Sequence, residues 1–179
     1  MARDLELGRQ VVIKVLDPAM GADLSAECFA REIRFAAALQ QANIVPLLNT
    51  GDADGMAWYS MPFVDGLSLR ARLADGVALP AAEAISVLRD LARALAYAHD
   101  RGVVHRDIKL DNILLSGGTA MVADFGIAKA VSAARTQAVE GTLTQLGTAI
   151  GTPAYMAPEQ AAGDPDTDHR ADLLSRVTA

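Results

Sequence analysis

Apolar positions recur with period two near the start of the chain and at helical spacing through its middle, which predicts strands first and helices after. "LELGRQVVIKVLD" reads as two strands about a turn at Gly8, the second running from Val11 to Leu16. "SAECFAREIRFAAALQ" reads as a helix capped by Ser25, with Phe29, Ile33, Ala36 and Ala37 along one side. "IVPLLNTGDADGMAWYSMPFV" reads as two strands joined by a turn at Asp54-Gly55. "SLRARLADG" is a short helix, with Ser68 to cap it and Gly76 past its end. The longest helical pattern, "PAAEAISVLRDLARALAYAHDRG", starts at Pro80 and stops at Gly102. Its predicted apolar stripe is Ile85, Leu88, Leu91, Ala92 and Leu95. "TAMVADFG" reads as a short strand running into Asp124-Phe125-Gly126. From Ser132 to Gly151 the chain turns polar, with Thr136, Thr142, Thr144 and Thr148, and reads as a long loop of the kind that carries function. Strands early and helices in the middle give an α+β order.

Composition narrows the class. The 179 residues are 51% apolar, enough for a domain with a real core, and the formal net charge is -6 with acids and bases interspersed. No basic run stands out, which disfavours a nucleic-acid surface. The single cysteine, Cys28, cannot form an internal disulfide, and a reducing, cytoplasmic setting is the simplest reading. No apolar run reaches the roughly 18 residues of a membrane helix.

The candidate chemistry lies in "VVHRDIKLDNILL", Val103 to Leu115, where His105, Arg106, Asp107, Lys109, Asp111 and Asn112 sit between apolar flanks. A surface loop has no need of such flanks, and a core strand would not carry so many charges. Taken singly, the other groups read plainly. Lys14 in "VVIK" is a strand-end lysine snorkelling to water, Glu32 a solvated helix position, and the loop threonines ordinary solvated residues. A lone His-Arg-Asp or Asp-Phe-Gly is weak evidence. Order and spacing give the pieces their force.

In order, "VVIKVL", "FAREIRFAAAL", "HRDIKLDN", "DFG" and "GTPAYMAPE" resemble the signature set of eukaryotic-type protein kinases, and the wording is nearest to bacterial Ser/Thr kinases. The resemblance runs from Val11 to about Asp172. It implies a two-lobe, protein-kinase-like fold, with residues 1–64 as small lobe and hinge and 65–179 as part of a large lobe, and ATP in the cleft between. It also implies roles. Lys14 holds the α- and β-phosphates and is itself held by Glu32. Asn112 and Asp124 bind Mg2+ through hard oxygens. Asp107 orients the substrate hydroxyl and accepts its proton, and Lys109 neutralises the γ-phosphate. Val12 and Leu114 sandwich the adenine, Met61 is the gatekeeper, and the backbones of Pro62 and Val64 meet the adenine edge. Arg106 pairs with a phosphate on Thr142 or Thr144, and Thr152 bonds to Asp107 and Lys109. The apolar flanks of the opening loop then make sense as anchors for preorganised polar groups.

The sequence departs from the pattern at both ends. It contains no G-x-G-x-x-G, and after Asp172 "LSRVTA" drifts off the pattern. The kinase fold is therefore expected to be incomplete, without the first strand and glycine-rich loop and without the later helices. Weaker nucleotide binding and an uncovered apolar stripe on the Pro80–Gly102 helix, inviting self-association, are expected with it. Three readings compete: part of an active Ser/Thr kinase acting on proteins, with activation-loop autophosphorylation; a catalytically silent nucleotide-binding or interaction module; and a small-molecule phosphotransferase, which "GTPAYMAPE" argues against. Kinases of the first kind often continue into a membrane anchor, which would make this chain a cytoplasmic part.

Overall fold

The computed structural model describes residues 1–16, 33–54, 56–125, 156–162, 164 and 167–174. Two antiparallel sheets organise them. The first has the order β1 (Ala2–Arg3), β2 (Gln10–Val15), β4 (Met56–Pro62), β3 (Asn49–Ala53). The second has the order β5 (Leu67–Ser68), β6 (Ile113–Ser116), β7 (Thr119–Val122). The second strand read from the sequence is β2, but its partner is Ala2–Arg3: Leu5–Leu7, read as strand, form the turn between them, where Asp4 Oδ1 accepts the Glu6 and Leu7 N–H groups, and Gly8 adopts φ +67°. Of the predicted Ser25–Gln40 helix, residues 33–37 are helical, while Ser25 and Phe29 lie outside the described residues.

Register decides which side chains meet. Lys14 stands opposite Tyr59 and Val12 opposite Met61, so these four share one face of the first sheet. The strand predicted from Ile44 begins only at Asn49. Residues 43–45 run instead along β7: Ile44 bridges Val122 in parallel, the Val45 N–H donates to the Val122 carbonyl at 2.9 Å, and the Val122 N–H donates to the Asn43 carbonyl at 2.8 Å. That seam joins the two sheets.

Helix α1 (Leu69–Leu73) is capped as its sequence predicts, the Ser68 hydroxyl accepting the Ala71 N–H at 3.2 Å. Helix α2 (Ala81–His99) has Pro80 as its N-cap. At its other end Gly102 takes φ +71° and the Val103 N–H folds back onto the Ala98 carbonyl. The buried side of α2 differs from the predicted stripe. Val87, Asp90, Ala94, Leu95 and Ala98 face inward, whereas Ile85 and Leu88 are 64% and 65% exposed. The inward face lies roughly 100° round the helix from the predicted one, about one residue of rotation. Asp90 is the physical reason. Its buried carboxylate accepts the Ala120 N–H at 3.1 Å, so a polar residue occupies the centre of the core-facing side. Leu91 and Leu95 border both faces, and the uncovered apolar surface expected on this helix is Ile85 and Leu88.

Two of the hydrophobic clusters lie side by side on one face of the second sheet. Ala94, Leu95 and Ala98 of α2 pack with Leu39, Ile44, Val103, Ile108, Val122 and Phe125. Leu69, Val87, Leu110, Ile113 and Ala120 form the other. Between β4 and α1 the chain passes Gly66, where a Cβ would come within 2.0 Å of the Leu115 carbonyl oxygen. Gly66→Ala must therefore push β5 from β6. It is expected to cost about 1–3 kcal/mol in denaturant unfolding, as overpacking does; an unchanged midpoint would contradict this close approach.

Candidate active site

The polar stretch from His105 to Asn112 is fixed by buried groups at both ends. Asp172, 4% exposed on the short helix α4 (Arg170–Leu174), accepts the backbone N–H of His105 at 2.8 Å and that of Arg106 at 2.7 Å, and pairs with His99 Nε2 at 2.8 Å. These bonds hold Arg106 at φ +68°, a conformation costly for a side-chain-bearing residue. The fully buried His105 ring accepts the Asp107 N–H on Nδ1 at 3.2 Å, which leaves Nε2–H to donate to the Ala123 carbonyl at 2.8 Å. Phe125 meets that ring edge-on at 4.7 Å. Gln160, on α3 (Pro158–Ala161), donates to the Arg106 carbonyl at 2.9 Å.

Asp107 carries its carboxylate between two donors. Lys109 Nζ lies 2.6 Å from Oδ2, and Asn112 Nδ2 lies 3.2 Å from the same oxygen and 2.9 Å from the Asp107 carbonyl. Both Asn112 amide contacts to Asp107 use its nitrogen, so Oδ1 is left as an acceptor. The Asn112 carbonyl accepts the Ala123 N–H at 2.9 Å, which sets the next residue, Asp124, beside the loop. Asp124 has φ +67°. Its Oδ2 is ion-paired with Lys14 Nζ, and its Oδ1 accepts the Tyr59 hydroxyl proton at 2.8 Å. Burial and the adjacent carboxylate push the Tyr59 phenol far above its usual pKa, so it is a donor.

Above this polar cluster, the predicted adenine residues come together. Val12, Met61, Val64 and Leu114 belong to one apolar cluster with Val45, Met121 and Ala123, and Pro62 ends β4 beside Met61. Of the predicted site, the structure thus gathers Lys14, Asp107, Lys109, Asn112 and Asp124, and assembles the apolar set at the junction of the sheets. Glu32, Thr142, Thr144 and Thr152 lie outside the described residues. Lys14 meets Asp124, a pairing that the sequence reading did not include. Arg106 donates to the Thr167 carbonyl at 3.2 Å, and its Nε is buried without a hydrogen-bond partner among the described residues.

Sequence reasoning missed Tyr59, His99 and Gln160. No local pattern marks them, since each acts on a residue more than fifty positions away. Only strand register could have flagged Tyr59, as the cross-strand neighbour of Lys14. Asp111, to which the resemblance gave no role, receives Arg70 Nε on both oxygens at 2.9 and 2.8 Å, tying the loop to α1.

The donor set suits a hard cation. Asn112 and Asp124 offer an amide oxygen and a carboxylate, and Asp107 lies beside Asn112. Among the described residues no three His, Cys, Asp or Glu side chains gather into a metal cage. Magnesium, which takes one or two protein carboxylates and completes its shell with phosphates and water, fits such a sparse set.

Comparison with known proteins agrees with this geometry. The family model for the protein kinase domain matches residues 1–176. The chain is 39% identical to the Ser/Thr-protein kinase PknB of Mycobacterium leprae over 181 aligned residues, 98% of this chain and 28% of that protein. It is 38% identical to the Ser/Thr-protein kinase Pkn2 of Myxococcus xanthus, covering 98% of this chain and 21% of that one. The crystal structure of the Mycobacterium tuberculosis PknI kinase domain superposes with a TM-score of 0.67 at 33% identity, over 90% of this chain and 57% of that domain. The chain belongs to the protein kinase domain family. It spans about a quarter of the length of the curated relatives it matches. Members of this family in general use ATP and a divalent metal. No helix among the described residues is long and apolar enough to cross a membrane.

The Asp172 anchor predicts an acid dependence. Burial alone would raise its carboxyl, but the His99 hydrogen bond and the backbone N–H donors of His105 and Arg106 outweigh it and leave the pKa below the ordinary 3.8. A depressed folded pKa means that Asp172 adds stability above the ordinary carboxylate range and loses it as pH falls through the folded value. The stability gap between the chain and Asp172→Asn is expected to hold from pH 7 to 5 and to close below about pH 4. A gap that stays constant down to pH 3 would contradict the ionised anchor.

Proposed function

We propose that this chain is the site-bearing part of a bacterial Ser/Thr protein kinase that transfers the γ-phosphate of ATP to Ser or Thr hydroxyls of protein substrates. The carrying observation is the Asp107 carboxylate held between Lys109 and Asn112, with the Asn112 carbonyl bonded to the residue before Asp124. Residues 1–64 form the small lobe and hinge on this reading, and 65–179 part of the large lobe.

Phosphoryl transfer asks the protein for position and charge neutralisation more than for covalent chemistry. The apolar cluster of Val12, Met61, Val64 and Leu114 takes the adenine, with the backbones of Pro62 and Val64 at its edge. Lys14 takes the α- and β-phosphates, with Glu32 as its ion-pair partner. Asn112 and Asp124 hold magnesium, which supplies neutralisation of the phosphate oxygens when bound. Asp107 accepts the hydroxyl proton as the substrate oxygen bonds to the γ-phosphorus and the bond to ADP breaks. Lys109, already 2.6 Å from Asp107, offsets charge on the transferring group. Arg106 receives a phosphate placed on Thr142 or Thr144, and Thr152 bonds to Asp107 and Lys109. The working place of such a chain is the cytoplasm, in a soluble kinase or the inner part of an anchored one. Exposed Ile85 and Leu88 are where self-association would begin.

The test is transfer of labelled γ-phosphate to the chain itself or to a generic basic protein. Asp107→Asn is expected to lower transfer by about 10²–10⁴-fold, the usual worth of a positioned general base, while ATP binding changes little. Nucleotide binding by the unaltered chain without transfer, and with no effect of Asp107→Asn, would reject catalysis and favour a silent nucleotide-binding module.

A further inference from the structure

Both donors to Asp124 come from one rung of the first sheet, but they differ in kind. Lys14 sits on a four-carbon stem and its side chain is 41% exposed, so it is free to swing toward a phosphate. Tyr59 is 2% exposed at the middle of β4, flanked by Lys14 on β2 and Thr50 on β3, and its hydroxyl reaches Asp124 Oδ1 at 2.8 Å. A buried phenol has only two side-chain torsions and one proton to give. Nothing in the phosphoryl-transfer scheme above uses that hydroxyl, yet it is aimed at a carboxylate whose backbone is already in the strained left-handed region.

We infer that Tyr59 is a positioning residue for the Asp124 carboxylate, holding Oδ1 in place for the metal when Lys14 leaves Oδ2 for the nucleotide phosphates. The inference rests on the kinase reading above, because it takes Asp124 as a metal ligand. Each carboxylate oxygen accepts in two directions, so the Tyr59 hydrogen bond leaves a lone pair on Oδ1 and both on the freed Oδ2. Metal-binding carboxylates are commonly held by such outer hydrogen bonds, and losing one typically weakens metal binding by about 10–100-fold. Without the hydroxyl, a carboxylate abandoned by Lys14 would turn about its own bond, and the cation would have to order it on binding.

Tyr59→Phe removes one oxygen and keeps the ring in the core. Binding of a fluorescent ADP analogue is measured against Mg2+ concentration, and again with the metal chelated by EDTA. The expected result is a rise of about 10-fold or more in the Mg2+ concentration giving half-maximal enhancement, with binding in EDTA within about 2-fold of the unaltered chain. An unchanged Mg2+ midpoint overturns the inference. So does loss of binding to the same extent with and without Mg2+, which would make the hydroxyl a packing group only. If the unaltered chain shows no Mg2+-enhanced binding, the kinase reading of the site fails, and this inference with it.

Discussion

One buried residue ties the site together. Ala123, 3% exposed, gives its N–H to the Asn112 carbonyl and takes the His105 Nε2–H on its own carbonyl. The loop bearing Asp107 is thereby bonded near both its ends to the residue that precedes Asp124. Asp172 fixes the same loop from the opposite side through the N–H groups of His105 and Arg106. With the backbone held at these points, small local bonds suffice to set the side chains around Asp107. Lys109 and Asn112 then need only short reaches to meet Asp107.

The same bonds carry the cost of two left-handed residues. Arg106 and Asp124 each sit where a Cβ is disfavoured, at about 1–3 kcal/mol apiece. Arg106 is held by Asp172 and Gln160, and Asp124 by Tyr59 and Lys14. Strain of this kind persists only where the surroundings over-determine it. Here the surroundings are a fully buried histidine, a buried aspartate and the seam between two sheets.

Much of this was legible in the sequence, for reasons that differ by element. Strand β2, the α1 cap at Ser68 and the ends of α2 are local: each follows from an apolar alternation, a hydroxyl or a proline beside a periodic run, whereas the strand read at Leu5–Leu7 is a turn and its place is taken by Ala2–Arg3. The gathering of Lys14, Asp107, Lys109, Asn112 and Asp124 came from motif order, which spacing alone could not supply. The inward face of α2 was misread because Asp90 looks like a solvent residue until its partner, the Ala120 N–H, is known. Residues 44–48 looked like strand because they are apolar, but Ile44 and Val45 serve as the seam to β7 and Leu48 bonds to Ser60 of β4. Tyr59, His99 and Gln160 were invisible because a hydrogen bond across fifty or more residues leaves no trace in periodicity.

The central claim is that nucleotide lies at the junction of the two sheets, adenine on the apolar cluster and phosphates toward Lys14, Asn112 and Asp124. Backbone amide resonances followed during titration with a non-hydrolysable ATP analogue and Mg2+ test it directly. The account predicts that Val12, Lys14, Met61, Val64, Asn112, Leu114 and Asp124 shift together along one binding curve. Shifts confined elsewhere, such as the cavity between α2 and the β6–β7 hairpin lined by Ser86, Val87, Thr119 and Ala120, would contradict it.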